Sequence, residues 1–110
     1  MRYEISQQGN STVLQVNEER FDAKLAPQFR EVLETLTPEL LPNVVLDISN
    51  VKFMDSSGLG AVMGVYKMLR DKKIAVANAQ KPVQDLFKLT RMDRLIKTYT
   101  SVDEALATAV

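Results

Sequence analysis

Apolar and polar residues alternate at the start of the chain, and the period then lengthens. Tyr3 and Ile5 alternate with polar neighbours as far as Gln7, which predicts a strand. Gln8-Gly9-Asn10-Ser11 has turn composition, and Thr12 to Val16 predicts the returning arm of a hairpin. Asn17 to Arg20 is polar and predicts a loop. Leu25, Phe29, Val32, Leu33, Leu36 and Leu40 then keep helical spacing, with Pro27 tolerated in the first turn. Pro38 and Pro42 end that helix by Leu41. Val44-Val45-Leu46-Asp47-Ile48 is short, branched and apolar on both faces, which suits a central strand covered by helices on either side. Helical spacing returns from Ser57 to about Arg70. Lys73 to Ala77 predicts a second buried strand, Val83, Leu86 and Phe87 a helix from near Pro82, and Ile96 to Tyr99 a short edge strand. Ser101-Val102-Asp103-Glu104 fits a capping box, with Ser101 as N-cap and Glu104 at N3. It opens a last helix expected to bury Val102, Leu106 and Ala109. The order β-β-α-β-α-β-α-β-α predicts one α/β domain over residues 1–110: a mixed central sheet of four to five strands flanked by about four helices.

The central helix is apolar around more than half its circumference. Leu59, Val62, Met63, Tyr66 and Leu69 share one face, the expected core seam. Ala61, Val65 and Met68 form a second strip, adjoined by Gly60 and Gly64, while Lys67 and Asp71 mark the polar side. Two readings of the second strip stay open. It packs under a neighbouring helix of the same domain, or it is a shallow apolar patch for a partner, with Gly60 and Gly64 permitting close backbone approach. An exposed glycine inside a helix costs about 1 kcal/mol relative to alanine, which gives the second reading weight.

Composition narrows the chemistry. The 110 residues suit one domain with a real core, and 45% apolar with 25% charged residues is ordinary for a globular chain. Fourteen basic and fourteen acidic residues balance, so nothing argues for a nucleic-acid or membrane-surface binder. No apolar run approaches the roughly 20 residues of a spanning helix, and Met1-Arg2-Tyr3-Glu4 has no signal-peptide pattern, so a cytoplasmic location is expected. Cysteine is absent, which excludes disulfides, thiolate chemistry and cysteine zinc sites. Histidine is absent too, which removes Ser–His–Asp catalysis and the usual near-neutral base. No cofactor is expected.

The remaining chemistry gathers at Asp55-Ser56-Ser57-Gly58-Leu59-Gly60. A serine at a helix entrance sits among unpartnered N–H groups at the positive end of the dipole. Asp and Ser are good N-caps, so capping alone explains one of them. It does not explain three cap-type residues in a row followed by two glycines, which are expected to leave room for another molecule. A phosphate on Ser56 adds about −1.5 to −2 charges beside Asp55. The helix N-terminus offsets that within the domain. A partner docked on the neutral serine gets no such relief.

Val45-Leu46-Asp47-Ile48-Ser49 followed by Val51-Lys52-Phe53-Met54-Asp55-Ser56-Ser57-Gly58-Leu59-Gly60 resembles the signature of bacterial anti-sigma-factor antagonists, small proteins of the STAS domain family. Phe21-Asp22 and Val83-Gln84-Asp85-Leu86-Phe87-Lys88-Leu89-Thr90 are similar to its flanking elements, so the resemblance covers nearly the whole chain. It implies partner switching. The unmodified protein binds an anti-sigma factor that is also a serine kinase and frees the sigma factor; the kinase phosphorylates the antagonist and releases it; a PP2C-type phosphatase resets it. Carried over, the phosphorylated residue is Ser56, with Asp55, Ser57 and Gly58 around it and Asp22 on a nearby loop of the kinase-facing surface. Gly60, Ala61, Gly64 and Met68 complete the expected partner surface. Two positions depart from the family pattern: Glu19 stands where a glycine usually precedes the loop aspartate, and Arg91 stands at a turn where glycine is common. A positive φ at Arg91 costs about 1–2 kcal/mol.

Two other functions use the same residues. Similar domains serve as scaffold or accessory subunits of signalling or transport assemblies; on size exclusion a 12.4 kDa monomer, the expected state, favours the switch and a very large particle the scaffold. An enzyme using Ser56 lacks a histidine base, and a magnesium ion held by Asp47 and Asp55 competes with their simpler fates as a strand-end aspartate and a helix cap. Arg70, Lys72 and Lys73 suit the solvated C-terminal end of the central helix, and Arg91, Arg94 and Lys97 read the same way. Met63 is expected in the core and Met68 towards a partner.

Overall fold

A computed structural model describes residues 1–108, so the expected burial of Ala109 lies outside the described residues. Strand β1 (Tyr3–Gln8) and strand β2 (Ser11–Val16) form the hairpin. They are joined by a two-residue loop in which Gly9 takes a φ of +59°. A side chain at that position is strained, so glycine fits the tight connection. Helix α1 (Leu25–Leu36) follows the spacing of its apolar residues, burying Leu25, Phe29 and Leu33. A short 3-10 turn, Thr37–Glu39, carries Pro38 and ends the helix as the prolines require. Strand β4 (Asn43–Asp47) is buried along its whole length, and strand β6 (Lys73–Ala77) lies beside it. Helix α2 (Ser56–Met68), helix α3 (Lys81–Leu89), strand β7 (Lys97–Tyr99) and helix α4 (Val102–Thr108) complete the predicted order.

The main sheet runs β1-β2-β4-β6-β7. Only the β1–β2 pair is antiparallel; the other three pairs are parallel. Helices cover both faces. Leu14, Val44, Leu46 and Val76 point into the main core with Phe29, Leu33, Val62, Val65, Val83 and Phe87 of α1, α2 and α3. Val13, Val45 and Ala77 point the other way, onto Ala105 of α4. This alternation within single strands is why β4 reads as continuously apolar. Strand β1 is the exception: every residue in it is exposed, because it forms an edge.

A second, two-stranded sheet was not expected. Strand β3 (Arg20–Phe21) pairs in parallel with strand β5 (Phe53–Met54), Phe21 opposite Met54. The segment expected as loop through Arg20 therefore ends in a strand. Phe21 is fully buried and meets Phe29 of α1 edge-on at 4.9 Å between ring centroids.

Other local expectations are refined. Ser101 caps α4, its Oγ accepting from the N–H of Glu104 at 3.0 Å. The return arm of the box differs: Glu104 accepts from the N–H and hydroxyl of Thr100 instead of from Ser101. Arg91 adopts a φ of +60°, the strained conformation its position implied.

Candidate functional site

The small β3–β5 sheet builds the entrance to α2. Phe21 and Met54 point inward, and Arg20 and Phe53, with the next residues Asp22 and Asp55, take the outward positions. The N–H of Asp55 reaches the carbonyl of Phe21 at 3.4 Å. Asp22 and Asp55 are thus the next residues out on two paired strands, which sets the Asp22 loop beside the helix entrance. The carbonyl of Glu19 braces the pair from the other end, accepting from the N–H groups of Lys52 and Phe53 at 2.8 and 3.1 Å.

Asp55 is the N-cap of α2. Its Oδ1 accepts from the N–H of Ser57 at 2.9 Å and of Gly58 at 3.1 Å. That bond set satisfies the donors that a serine cap otherwise serves. Ser56 is the first helical residue and is exposed, and its hydroxyl has no partner among the described residues. The side chain of Ser57 is half-buried beside it.

Asp22 does for α1 what Asp55 does for α2. Its Oδ1 accepts from the N–H of Lys24 at 3.1 Å and of Leu25 at 3.4 Å, and Oδ2 lies 3.6 Å from Nε of Arg20. Partial loss of solvent pushes its carboxyl upward, but the N–H bonds of Leu25 and Lys24 and the Arg20 guanidinium outweigh it and hold the group below its ordinary value.

The exposed stripe of α2 runs Ser56, Gly60, Lys67, one turn or two apart, with Met63 and Gly64 half-buried at its margins. Arg30 of α1 faces it, and Arg30, Gly60, Met63, Gly64, Lys67 and Met68 line a shallow hollow of about 500 Å³ between the helices. Gly60 has open space where a Cβ would stand. Gly64 is approached by the Arg30 guanidinium, 3.2 Å from that point. Another hollow, about 370 Å³, lies at the far end of the sheet between Lys72, Lys73, Lys97 and Tyr99, and none of the expected site residues lines it.

Three expectations are corrected here. Gly58 does not leave room for an incoming molecule: it is buried, and an added Cβ would stand 2.9 Å from Met54 Cγ and Phe21 Cδ1. Its missing side chain lets β3 close against α2. Ala61 is buried as well and belongs to the core, not to the outer surface. The core seam is centred on Gly58, Ala61, Val62, Val65 and Leu69, with Leu59, Met63 and Tyr66 half-buried at its edge. Of the second strip, Ala61 and Val65 pack inside the domain, as the first reading expects, and Met68 lines the hollow against α1. Asp47 is buried and accepts from Ser49 N–H at 3.0 Å and Asn78 Nδ2 at 3.2 Å, the bonds of a strand-end aspartate.

Arg20, Phe53 and Arg30 belong to this surface and were not singled out from the sequence. The guanidinium of Arg20 stands 4.5 Å over the Phe53 ring. The visible signal was the matching pattern of Arg20-Phe21-Asp22 and Phe53-Met54-Asp55, each with one apolar residue turned inward before an aspartate.

The STAS domain family model matches residues 2–105. An anti-sigma F factor antagonist from Paenibacillus polymyxa is 35% identical over 66 residues, 58% of this chain and 56% of that protein, so the match spans little more than half of that relative. An anti-sigma-B factor antagonist from Staphylococcus epidermidis is 31% identical over 77 residues, 68% of this chain and 71% of that protein. The crystal structure of an anti-sigma factor antagonist from Mycobacterium paratuberculosis superposes with a TM-score of 0.86 at 22% identity, covering 96% of this chain and 91% of that one. The Bacillus cell fate determinant SpoIIAA in its phosphorylated form superposes with a TM-score of 0.71 at 16% identity, covering 99% and 100%. At those identities the two structures speak for the fold; the family model and the Staphylococcus relative carry the membership. The chain belongs to the STAS domain family, among the proteins named anti-sigma factor antagonists.

Proposed function

We propose that this protein is a phosphorylation-controlled anti-sigma-factor antagonist, a binding module and not an enzyme. In its unmodified form it docks an anti-sigma factor that is also a serine kinase, through Asp22, Ser56, Ser57, Gly60, Gly64 and Met68. The kinase transfers the γ-phosphoryl group of ATP to the Ser56 oxygen. The new bond is Oγ–P, ADP leaves, and the hydroxyl proton passes to a base of the kinase. A PP2C-type phosphatase reverses the step by hydrolysis.

The observation that carries this reading is the division of labour at the helix entrance. Asp55 does the capping, so Ser56 stands exposed and free at the head of a solvent-facing stripe. Gly60 supports it independently. That glycine sits in the interior of an exposed helix face with nothing packed on it, at a helix-propensity cost of about 1 kcal/mol and with no intramolecular return. A second backbone approaching along the stripe supplies the reason. Phosphate at Ser56 then sets like charge against a surface fitted to a neutral hydroxyl, and such mismatches cost several kcal/mol, orders of magnitude in affinity.

The test is phosphorylation by the cognate anti-sigma kinase with ATP, read by intact-protein mass and peptide mapping. One phosphate at Ser56 is expected. Ser56→Ala is expected to remain unmodified, to melt within a degree or two of the wild type, and to bind the kinase in the presence of ATP. Phosphorylation of the alanine variant to the wild-type extent overturns the assignment.

A further inference from the structure

We propose that Arg20 is the phosphate-receiving residue of the switch: on modification of Ser56 its guanidinium leaves Asp22 and pairs with the phosphoserine, while staying stacked on Phe53. This rests on Ser56 being the modified residue. It adds a positioning residue and a two-position contact to that site.

The argument is geometric. Arg20, Asp22, Phe53 and Asp55 hold the outward positions of one small parallel sheet, and Ser56 follows Asp55 directly. The Arg20 Nε lies 3.6 Å from Asp22 Oδ2, so the side chain extends along the strand in the direction of the helix entrance. It is two-thirds exposed, its Cζ stands 4.5 Å from the centre of the Phe53 ring, and its outer N–H groups have no partner among the described residues.

The existing partner is weakly held. Asp22 already accepts two backbone N–H groups through Oδ1, and the contact with Arg20 is a single long one on an exposed surface. Exposed ion pairs of that kind contribute little. A phosphate dianion offers three acceptor oxygens and about twice the charge, and planar guanidinium binds it through paired N–H donors. Lys52, which precedes β5, lies 3.4 Å from Glu19 at the opposite end of the pair, away from the helix entrance. The charged groups at or beside the outward positions next to Ser56 are the carboxylates of Asp22 and Asp55, the Arg20 guanidinium and the ammonium of exposed Lys24, while the N–H groups of Ser57 and Gly58 are already held by Asp55.

The exchange changes what a partner meets. Before modification Arg20 and Asp22 neutralise each other. Afterwards the Asp22 carboxylate is uncovered and the outer face of the small sheet, with Asp55 already one charge negative, gains about two more negative charges, so the charge change spreads beyond Ser56.

The test installs phosphoserine at position 56 by genetic encoding in the full chain, which needs no kinase. The phosphorus resonance is followed through its second ionisation, near pH 6. We expect the wild-type phosphoprotein to titrate several tenths of a pH unit lower than the same protein carrying Arg20→Ala, with Arg20→Lys in between. Circular dichroism of both variants checks that they are folded, and Phe53→Leu, which leaves the charge but removes the ring, is expected to recover part of the rise. Coincident titrations of wild type and Arg20→Ala overturn the role of Arg20. They leave the functional reading untouched, whereas a kinase that never modifies Ser56 defeats that reading and does not affect the titration.

Discussion

Asp55 and Ser56 are chain neighbours with opposite duties. The aspartate is committed to the backbone of α2, and the serine, relieved of capping, is available to other molecules. Asp22 repeats the first duty at α1 and adds a titration signature. Its folded carboxyl lies below the ordinary value of 3.8 because the charged form holds the Leu25 and Lys24 N–H groups and the Arg20 guanidinium. A depressed carboxyl contributes stability that is present above its unfolded value and lost as pH falls through its folded value. Asp22→Asn keeps an acceptor for the same N–H groups but removes the charge. Thermal melts from pH 6 to pH 2.5 are expected to show a wild-type advantage at pH 6 that shrinks below about pH 4 as the carboxylate takes up its proton. A constant difference between the two proteins across that range contradicts the assigned cause.

At the scale of elements, two glycines about 3 Å apart along the axis of α2, at about 1.5 Å of rise per residue, face opposite environments. Gly58 is packed against Phe21 and Met54, and Gly60 looks into open space. Gly58→Ala forces a methyl against the backbone and ring of Phe21, so about 1–3 kcal/mol of overpacking is expected, with β3 displaced from α2. Gly60→Ala is expected to stabilise the free protein by up to about 1 kcal/mol, raising the melting temperature by a few degrees, while weakening kinase binding. Calorimetry and binding on the same pair of variants check this; equal effects of the two substitutions on stability refute it. The contrast also shows which parts were legible in the sequence. Strands β4 and β6 and helices α1 and α3 follow from runs and spacings that depend only on their own residues. The β3–β5 pair does not, because each strand is two residues long and exists through its partner some thirty residues away. Gly58 and Gly60 look alike in a motif, and only the position of Phe21 tells them apart. The seam of α2 was misplaced by one strip because the helix packs on the sheet with one side and on α1 with the other, merging two apolar strips that a wheel separates.

Across the whole molecule, Ser56, the proposed phosphorylation site, sits outside everything that holds the fold together. The main core lies between the sheet and α1, α2 and α3, and the smaller core lies under α4 on the far face. Ser56 belongs to neither and is joined to the core only through the cap and the small sheet. A switch built there has to act by presenting a different surface, since a charge in solvent gives the buried clusters no reason to rearrange. Full-chain protein with phosphoserine at 56 is therefore expected to keep its melting temperature within about two degrees of the unmodified form, a shift of a few tenths of a kcal/mol for a domain of this size. Amide chemical-shift changes are expected at Arg20 to Leu25, at Phe53 and Met54, and in the first two turns of α2, with β1, β7 and α4 unmoved. The protein is expected to elute as a monomer of 12.4 kDa before modification and as a monomer after it, because the change neither covers nor uncovers the exposed edge strand β1. Shifts that spread through β6 and β7 to α4 would instead mean that the phosphate works by remodelling the domain, and the exposed position of Ser56 would then be incidental to how the signal is carried.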